Sequence, residues 1–293
     1  MKPGKPNVFS FFDVVVYVVL IIACVICLVP MLHVLAKSLS GEGAVTSGRV
    51  GIWPIDIQTG TYKYVIQQRV FWNSFKNTVL ITFVGTIVCL AATLLTAYPL
   101  SHVHLRGRKV LIMVFIFGWI FVPPLVPMYL AMKTYGLINT YTGLILLDLV
   151  IAYNMLVVKT FFEQLPDSIM EAAKVDGAGE FRIFWQIALP LSVPVMVTIG
   201  MFIAFYFWNM YAGPRIYINS PSLQTMQMYL NDLIMNSMQE SPVKGELVNI
   251  YGNVMPDTIR SATVIVSIVP IICVYPFMQK YFVKGITLGS VKG

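Results

Sequence analysis

The chain has 293 residues, 57% of them hydrophobic and only 11% charged, with a formal net charge of +7. Soluble domains carry about 25% charged residues, and apolar runs of about 20 residues are what cross a bilayer as helices, so this composition excludes a soluble globular protein. The excess of Lys and Arg does not call for a nucleic-acid partner, because the cytoplasmic loops of a membrane protein account for it.

Residues 1–12 carry Lys2 and Lys5, and an apolar run follows from Val14 to Ala36. That run of 23 residues exceeds the h-region of a cleaved signal peptide and predicts an uncleaved first span. Cys24 and Cys27 form a CxxC within it, with no second pair or histidine cluster in register, so they read as packing residues. Cys89 and Cys273 also fall in predicted spans, and His33, His102 and His104 lack metal-ligand company.

Six spans are predicted, at 14–36, 74–100, 110–131, 141–162, 190–212 and 261–282. An even number puts both termini on one side. Segments 1–12, 101–109, 159–188 and 280–293 hold 11 Lys/Arg in 65 residues, against 9 in 97 for the segments on the other side. The denser set is predicted to be cytoplasmic, so both termini are as well. Three parts follow: 1–73, a tail, the first span and an outer loop; 74–282, a core of five spans with a cytoplasmic loop at 163–189 and an outer loop at 213–260; and 283–293, a cytoplasmic tail.

The outer loop 37–73 is polar and aromatic, with Trp53-Pro54, Tyr62, Tyr64 and Trp72. The loop 213–260 is Met-rich and predicted to be partly helical around Leu223–Met238. Both are long enough to touch an external partner or simply to cap the bundle. Span three carries Pro123, Pro124 and Pro127, which either kink the helix or line a cavity. Span four carries Asp148, about eight residues from its outer end; a carboxylate at that depth is costly. It serves substrate or gating, or it is neutral and hydrogen-bonded, or it is paired with a neighbouring span. Span five ends in Phe205-Tyr206-Phe207-Trp208-Asn209-Met210-Tyr211. That run suits an interfacial aromatic belt or core packing, and equally the stacking faces and amide donors that a sugar needs.

Charge collects in few places in this apolar chain, and one of them is Glu171–Pro190, EAAKVDGAGEFRIFWQIALP. Ser168 and Glu171 have capping-box spacing, which predicts a helix starting at Ser168. Gly177 ends that helix by supplying a positive φ. Phe181, Phe184, Trp185 and Ala188 then recur at i, i+3, i+4 and i+7, one face of a second helix. Pro190 suits the first turn of the next span. The sequence has no G-x-x-x-x-G-K-[ST], no G-x-S-x-G and no H-E-x-x-H, so it shows neither a phosphate loop nor catalytic machinery and is not read as an enzyme. No internal repeat is evident, which argues against a repeat-built secondary transporter.

Glu171-Ala172-Ala173, three residues, Gly177, nine residues, then Ile187-x-Leu189-Pro190 resembles the cytoplasmic signature of permease subunits of binding-protein-dependent ABC importers. The form EAAKVDGA…F…I.LPL is similar to the carbohydrate-uptake branch that includes the maltose importer, and within it to permeases for polysaccharide fragments such as alginate oligosaccharides. The resemblance implies an all-α fold of six transmembrane helices, the type I importer permease fold, in a bacterial inner membrane. It implies that Glu171, Ala172, Ala173, Asp176 and Gly177 belong to a coupling helix that docks on an ATPase. It implies as partners a second homologous permease, two ATPase subunits that hold ATP and Mg, and an extracytoplasmic solute-binding protein, with lipid around the spans and no nucleic acid. No cofactor is expected in this chain. Asp148, Tyr153, Asn154, Tyr206, Trp208 and Asn209 are the candidate lining of an oligosaccharide path, and Arg215 and Arg260 lie near its predicted outer mouth. Two other classes stay open: an ion- or proton-coupled transporter using Asp148, and a scaffold or insertion factor.

Overall fold

A computed structural model describes residues 11–236, 257–270, 272–273 and 276. The described residues form helices and no strand. They fall into two compact units, one of residues 11–68 with 230–236 and 257–269 and one built on residues 69–229.

In the first unit, α1 (Phe11–Leu39) has 29 residues, about 43 Å of helix, enough to cross the hydrocarbon core of a bilayer with length to spare. Its side chains are exposed all round from residue 12 to residue 32. An apolar helix with no polar face is stable in that state only with lipid or protein against it. Polarity begins where α1 ends. Ser40 Oγ donates to the Ala36 carbonyl at 2.6 Å and accepts from the Ile55 amide at 3.1 Å. Ser38 Oγ lies 2.6 Å from the Tyr62 hydroxyl. These bonds fold the following segment back on the helix end, with Ala36, Ala44, Val45 and Val50 as a small core. The segment expected as an open loop thus contains two short helices, α2 (Glu42–Thr46) and α3 (Gly60–Gln67). A helix spans residues 257–270, and most of the sixth predicted span, 261–282, lies outside the described residues.

The second unit is built on α4 (Arg69–Ser101), 33 residues long. It starts five residues before the predicted span because Phe71, Trp72 and Phe75 pack edge-to-face and stacked on one another and extend it. Its buried residues, Ile81, Gly85, Cys89, Thr93, Ala97 and Leu100, recur at intervals of three and four, one stripe of the helix. The opposite face, with Phe83, Ile87 and Leu95, is exposed as a lipid-facing surface would be. Against the stripe pack α8 (Ala152–Phe162) through Met155, Val158 and Phe162, and α12 (Val193–Trp208) through Val195, Ile199, Ile203 and Phe207. At Gly85 the helices come so close that a β-carbon there would sit 2.7 Å from the Phe207 ring. Small residues permit such approaches between spans, where lipid supplies no hydrophobic drive.

The other predicted spans of this unit are each broken. Arg108–Ile120 (α5) and Leu125–Thr134 (α6) meet at 113°, far beyond a kink. Pro123 and Pro124 lie in the break; Pro124 lacks an amide and biases the residue before it toward extended backbone. Tyr141–Leu147 (α7) and α8 meet at 58°, with Asp148 at the break. The segment Glu180–Leu191 meets α12 at 80°. Two unbroken helices and three bent pairs therefore account for five of the six predicted spans. Beyond α12 come α13 (Ala212–Tyr217) and α14 (Met226–Asn236), which together place helix inside the predicted 213–260 loop.

Replacing Gly85 by Ala should overpack the α4–α12 contact at a cost of about 1–3 kcal/mol and lower the melting temperature of the purified chain in detergent. Gly118→Ala, where a β-carbon meets nothing within 4 Å, should leave it unchanged. Equal melting temperatures for the two variants would mean that α4 and α12 do not meet at Gly85.

Candidate functional site

The loop between α8 and α12 is the most elaborate polar structure of the second unit. Its first helix, α9 (Asp167–Val175), begins one residue before the predicted start, with Pro166 at the N-cap and no side-chain cap bond. The Ser168–Glu171 capping box is therefore absent. Pro166 fixes its own φ at −62° and sets the helix entry, and Asp167 supplies the negative charge that a helix N-terminus favours. No residue of α9 is buried; Met170 and Ala173 are half-buried, while Ile169, Ala172 and Val175 lie exposed three residues apart, Val175 at 87%. Glu171 is exposed beside them. A nine-residue helix with so little support is marginal by itself, and it leaves an apolar row with a carboxylate exposed.

The end of α9 is closed by backbone bonds alone. Gly177 has φ +80°, and its amide donates to the Lys174 carbonyl at 3.0 Å while the Ala178 amide donates to the Ala173 carbonyl at 2.9 Å. This is the Schellman arrangement, which needs a left-handed residue at the position of Gly177. Gly177 is a bend between two helices, as its sequence context predicts. A β-carbon there would meet nothing within 4 Å, so the requirement is conformational and not steric.

The second helix departs from its predicted regularity. α10 (Glu180–Ile183) gives way to a π-helical turn over Phe184–Ala188, then to α11 (Leu189–Leu191) and a sharp bend at Ser192. The wider turn splits the expected single face. Phe184 and Ala188 are buried, whereas Phe181 is 77% and Trp185 60% exposed. Phe184 anchors the loop through Tyr98, with ring centroids 4.8 Å apart, and Tyr98 in turn packs edge-on to Phe162 at 5.5 Å.

Charge completes the loop. Lys174 Nζ lies 2.8 Å from Glu180 Oε1. Glu180 Oε2 accepts a long hydrogen bond from the Tyr98 hydroxyl at 3.4 Å and lies 3.8 Å from His102 Nε2. The hydrogen bond from Lys174 is the main reason that the Glu180 carboxyl titrates below its ordinary range, with the Lys174 and His102 charges adding to it and partial burial opposing it. At the other end of the loop, Glu163 pairs with Arg108 and, at 2.8 Å, with Lys159. Arg108 Nε also donates to the Leu100 carbonyl at 2.8 Å. Between these two charge groups lies a cleft of about 850 Å³, floored by Tyr98, Phe162 and Phe184.

The six residues expected along a solute path are not gathered into one cluster. Tyr206 donates to Asp148 Oδ2 at 2.6 Å, so the in-span carboxylate is hydrogen-bonded to α12. Asn154 is buried at 4% exposure, and the Asn209 amide donates back to the Phe205 carbonyl of its own helix. Trp208 packs edge-on to Phe75. Tyr153 is half-exposed and lies 6.3 Å from Trp119. Trp119, not singled out in the sequence, is exposed and lies just before the break that holds Pro123 and Pro124. Arg215 sits in α13, and Arg260 lies 3.4 Å from Asp257. Among the described residues no group of three His, Cys, Asp or Glu could hold a metal ion.

Comparison with known proteins identifies the family and the fold. Residues 100–288 fit the family model of the binding-protein-dependent transport system inner membrane component. Over 284 residues the chain is 34% identical to the polygalacturonan/rhamnogalacturonan transport system permease protein YtcP of Bacillus subtilis (strain 168), covering 96% of this chain and 98% of that one. It is 37% identical over 270 residues to protein LplC of the same organism, covering 92% and 90%. A crystal structure of a bacterial ABC transporter involved in the import of the acidic polysaccharide alginate contains a chain similar to it, with TM-score 0.88, 31% identity and coverage of 96% of this chain and 100% of that one. A chain in the crystal structure of a bacterial alginate ABC transporter in complex with alginate pentasaccharide-bound periplasmic protein shares the fold, at TM-score 0.58 and 14% identity, covering 91% and 93%. The chain belongs to the family of binding-protein-dependent transport system inner membrane components, and its fold is that of an ABC importer permease.

Two outcomes follow from the loop geometry. Gly177→Ala forces a side chain into the left-handed region, at about 1–2 kcal/mol, and should speed hydrogen exchange at the amides of residues 177 and 178. Gly179→Ala, at φ −72°, should not. Because the Glu180 carboxyl is held below its ordinary value of 4.5, its ion pair with Lys174 should persist as the pH falls to that value and be lost only below it. A carbon-13 titration of Glu180 should show this, with Lys174→Met moving the midpoint upward; a midpoint unmoved by Lys174→Met would show that the pair does not form.

Proposed function

We propose that this permease is the membrane-spanning subunit of an ATP-driven importer for an oligosaccharide, with fragments of acidic polysaccharides as the favoured cargo. The observation that carries this reading is the full-length likeness, at TM-score 0.88, to the chain of the alginate import system. The relative named for polygalacturonan and rhamnogalacturonan transport supports the same class of cargo.

In this reading α9 is the coupling helix. Its row of Ile169, Ala172 and Val175 and the exposed Glu171 carboxylate form the docking face for an ATPase subunit, Ala172 and Ala173 keep the helix slim, and Asp176 and Gly177 end it. ATP and Mg are held by the ATPase subunits. A second, homologous permease completes the path, a solute-binding protein delivers the sugar from outside, and α9 with both termini lies on the cytoplasmic side. Nucleotide-driven closure of the ATPases moves the loop as a body, and the spans follow by alternating access. The candidate path residues contribute aromatic and hydroxyl surface, Tyr153 among them, with Asp148 held back by Tyr206. An acidic sugar needs cations that these six residues do not supply, so charge recognition falls to the binding protein, the second permease, or Arg215 and Arg260 at the predicted outer mouth.

The test is uptake into proteoliposomes that hold this chain, its second permease, the ATPases and the binding protein, supplied with oligogalacturonate, alginate fragments or neutral oligosaccharides. Uptake should need ATP and the binding protein, survive dissipation of ion gradients, and favour the acidic sugars. Glu171→Lys combined with Gly177→Phe should abolish it. Gradient-dependent uptake without ATP would instead favour a coupled transporter using Asp148, and absence of flux would favour a scaffold.

A further inference from the structure

Backbone alone joins α9 to α12 through a weak path: Gly177, Ala178 and Gly179, a four-residue helix, a π turn and the bend at Ser192. Two glycines and an irregular helix would absorb a push on α9 before it reached a span. The side chains supply a second path. Glu180, the first residue of α10, uses one carboxylate oxygen for Lys174 in the last turn of α9, at 2.8 Å. Its other oxygen faces Tyr98 at 3.4 Å and His102 at 3.8 Å, on the last turn of α4 and just past its end. The His102 ring is itself fixed, with Nδ1 2.9 Å from the Tyr98 carbonyl. The opposite arm of the loop is fastened to the same helix end, because Arg108 bridges Glu163 and the Leu100 carbonyl.

We infer that Glu180 is a positioning residue of the importer: it latches the C-terminal end of α9 to the end of α4, so that movement of α9 reaches the helix on which α8 and α12 pack as well as the chain leading into α12. The inference rests on the proposed role of α9. Lys174 and Glu180 are about half exposed, at 48% and 57%, so the latch adds little to folding stability. Its effect is on how much of each stroke is transmitted. With the latch broken, α9 still docks and ATP is still hydrolysed, but the bend at Gly177–Gly179 yields.

The experiment compares wild type with Glu180→Ala, Lys174→Met, Lys174→Arg and Tyr98→Phe in the reconstituted complex, measuring ATP hydrolysed per sugar imported, binding-protein-stimulated ATPase rate and co-purification of the ATPase. Glu180→Ala and Lys174→Met should raise ATP consumed per sugar by about three- to fivefold, the scale of one exposed charge network read as an equilibrium between engaged and slipped loops. Stimulated hydrolysis and co-purification should stay at wild-type levels. Lys174→Arg, which keeps the pair, should stay coupled, and Tyr98→Phe, which keeps the ring packing, should be partly uncoupled. A wild-type ratio in Glu180→Ala overturns the latch, as does parallel loss of co-purification and hydrolysis, which would make Glu180 a docking residue. If wild type itself fails to import with ATP, it is the proposed function that falls.

Discussion

Everything in the second unit hangs on the buried stripe of α4. A helix in a bilayer gains nothing from hiding apolar surface against another apolar helix, so its contacts must come from close fit and from polar groups finding partners. Gly85 under the Phe207 ring is a close fit of that kind, and α12 lies against α4 along Val195, Ile199, Ile203 and Phe207. Once that pair is fixed, α8 packs on the same stripe, Tyr206 is carried to Asp148, and the end of α4 is placed between the two arms of the loop.

The broken helices are the counterpart of that rigid pair. Interruptions free backbone groups that a bilayer cannot satisfy, and they persist where protein or a water-filled path covers them. Two of the three breaks carry the chain's conspicuous in-span residues: the prolines between α5 and α6, with Trp119 just before them, and Asp148 between α7 and α8. The third, at Ser192, bends the chain by 80° and separates the loop from α12. An unbroken helix, α4, thus stands beside segments that are bent at 113°, 58° and 80°.

Local chemistry was legible where one short stretch decides the outcome. Gly177 had to be a bend because the left-handed region is open to glycine and closed to most other residues, and it is one. The three prolines of span three were read as a kink or a cavity lining, and the helix is instead bent by 113° at Pro123 and Pro124. The capping box at Ser168 and Glu171 failed because Pro166, two residues earlier, sets the helix start. The aromatic face from Phe181 to Ala188 failed because a π turn changed the period on which that face was counted. The extra helices α2 and α3 were hidden in a stretch whose polarity reads as loop, and they form because Ser38 and Ser40 give the chain a surface to fold against.

The sequence by itself determined the membrane class, the approximate places of five spans, the bent loop and the family signature. Each depends on the transfer free energy of a run of side chains or on the backbone preference of single residues, and both are properties of the local chain. Only the tertiary structure decided that Tyr206 holds Asp148, 58 positions away, and that Glu180 reaches back 82 positions to Tyr98. Those pairings depend on the register in which α4, α8 and α12 interlock, and register is set by the shape of a whole packed stripe, which no short stretch of sequence contains.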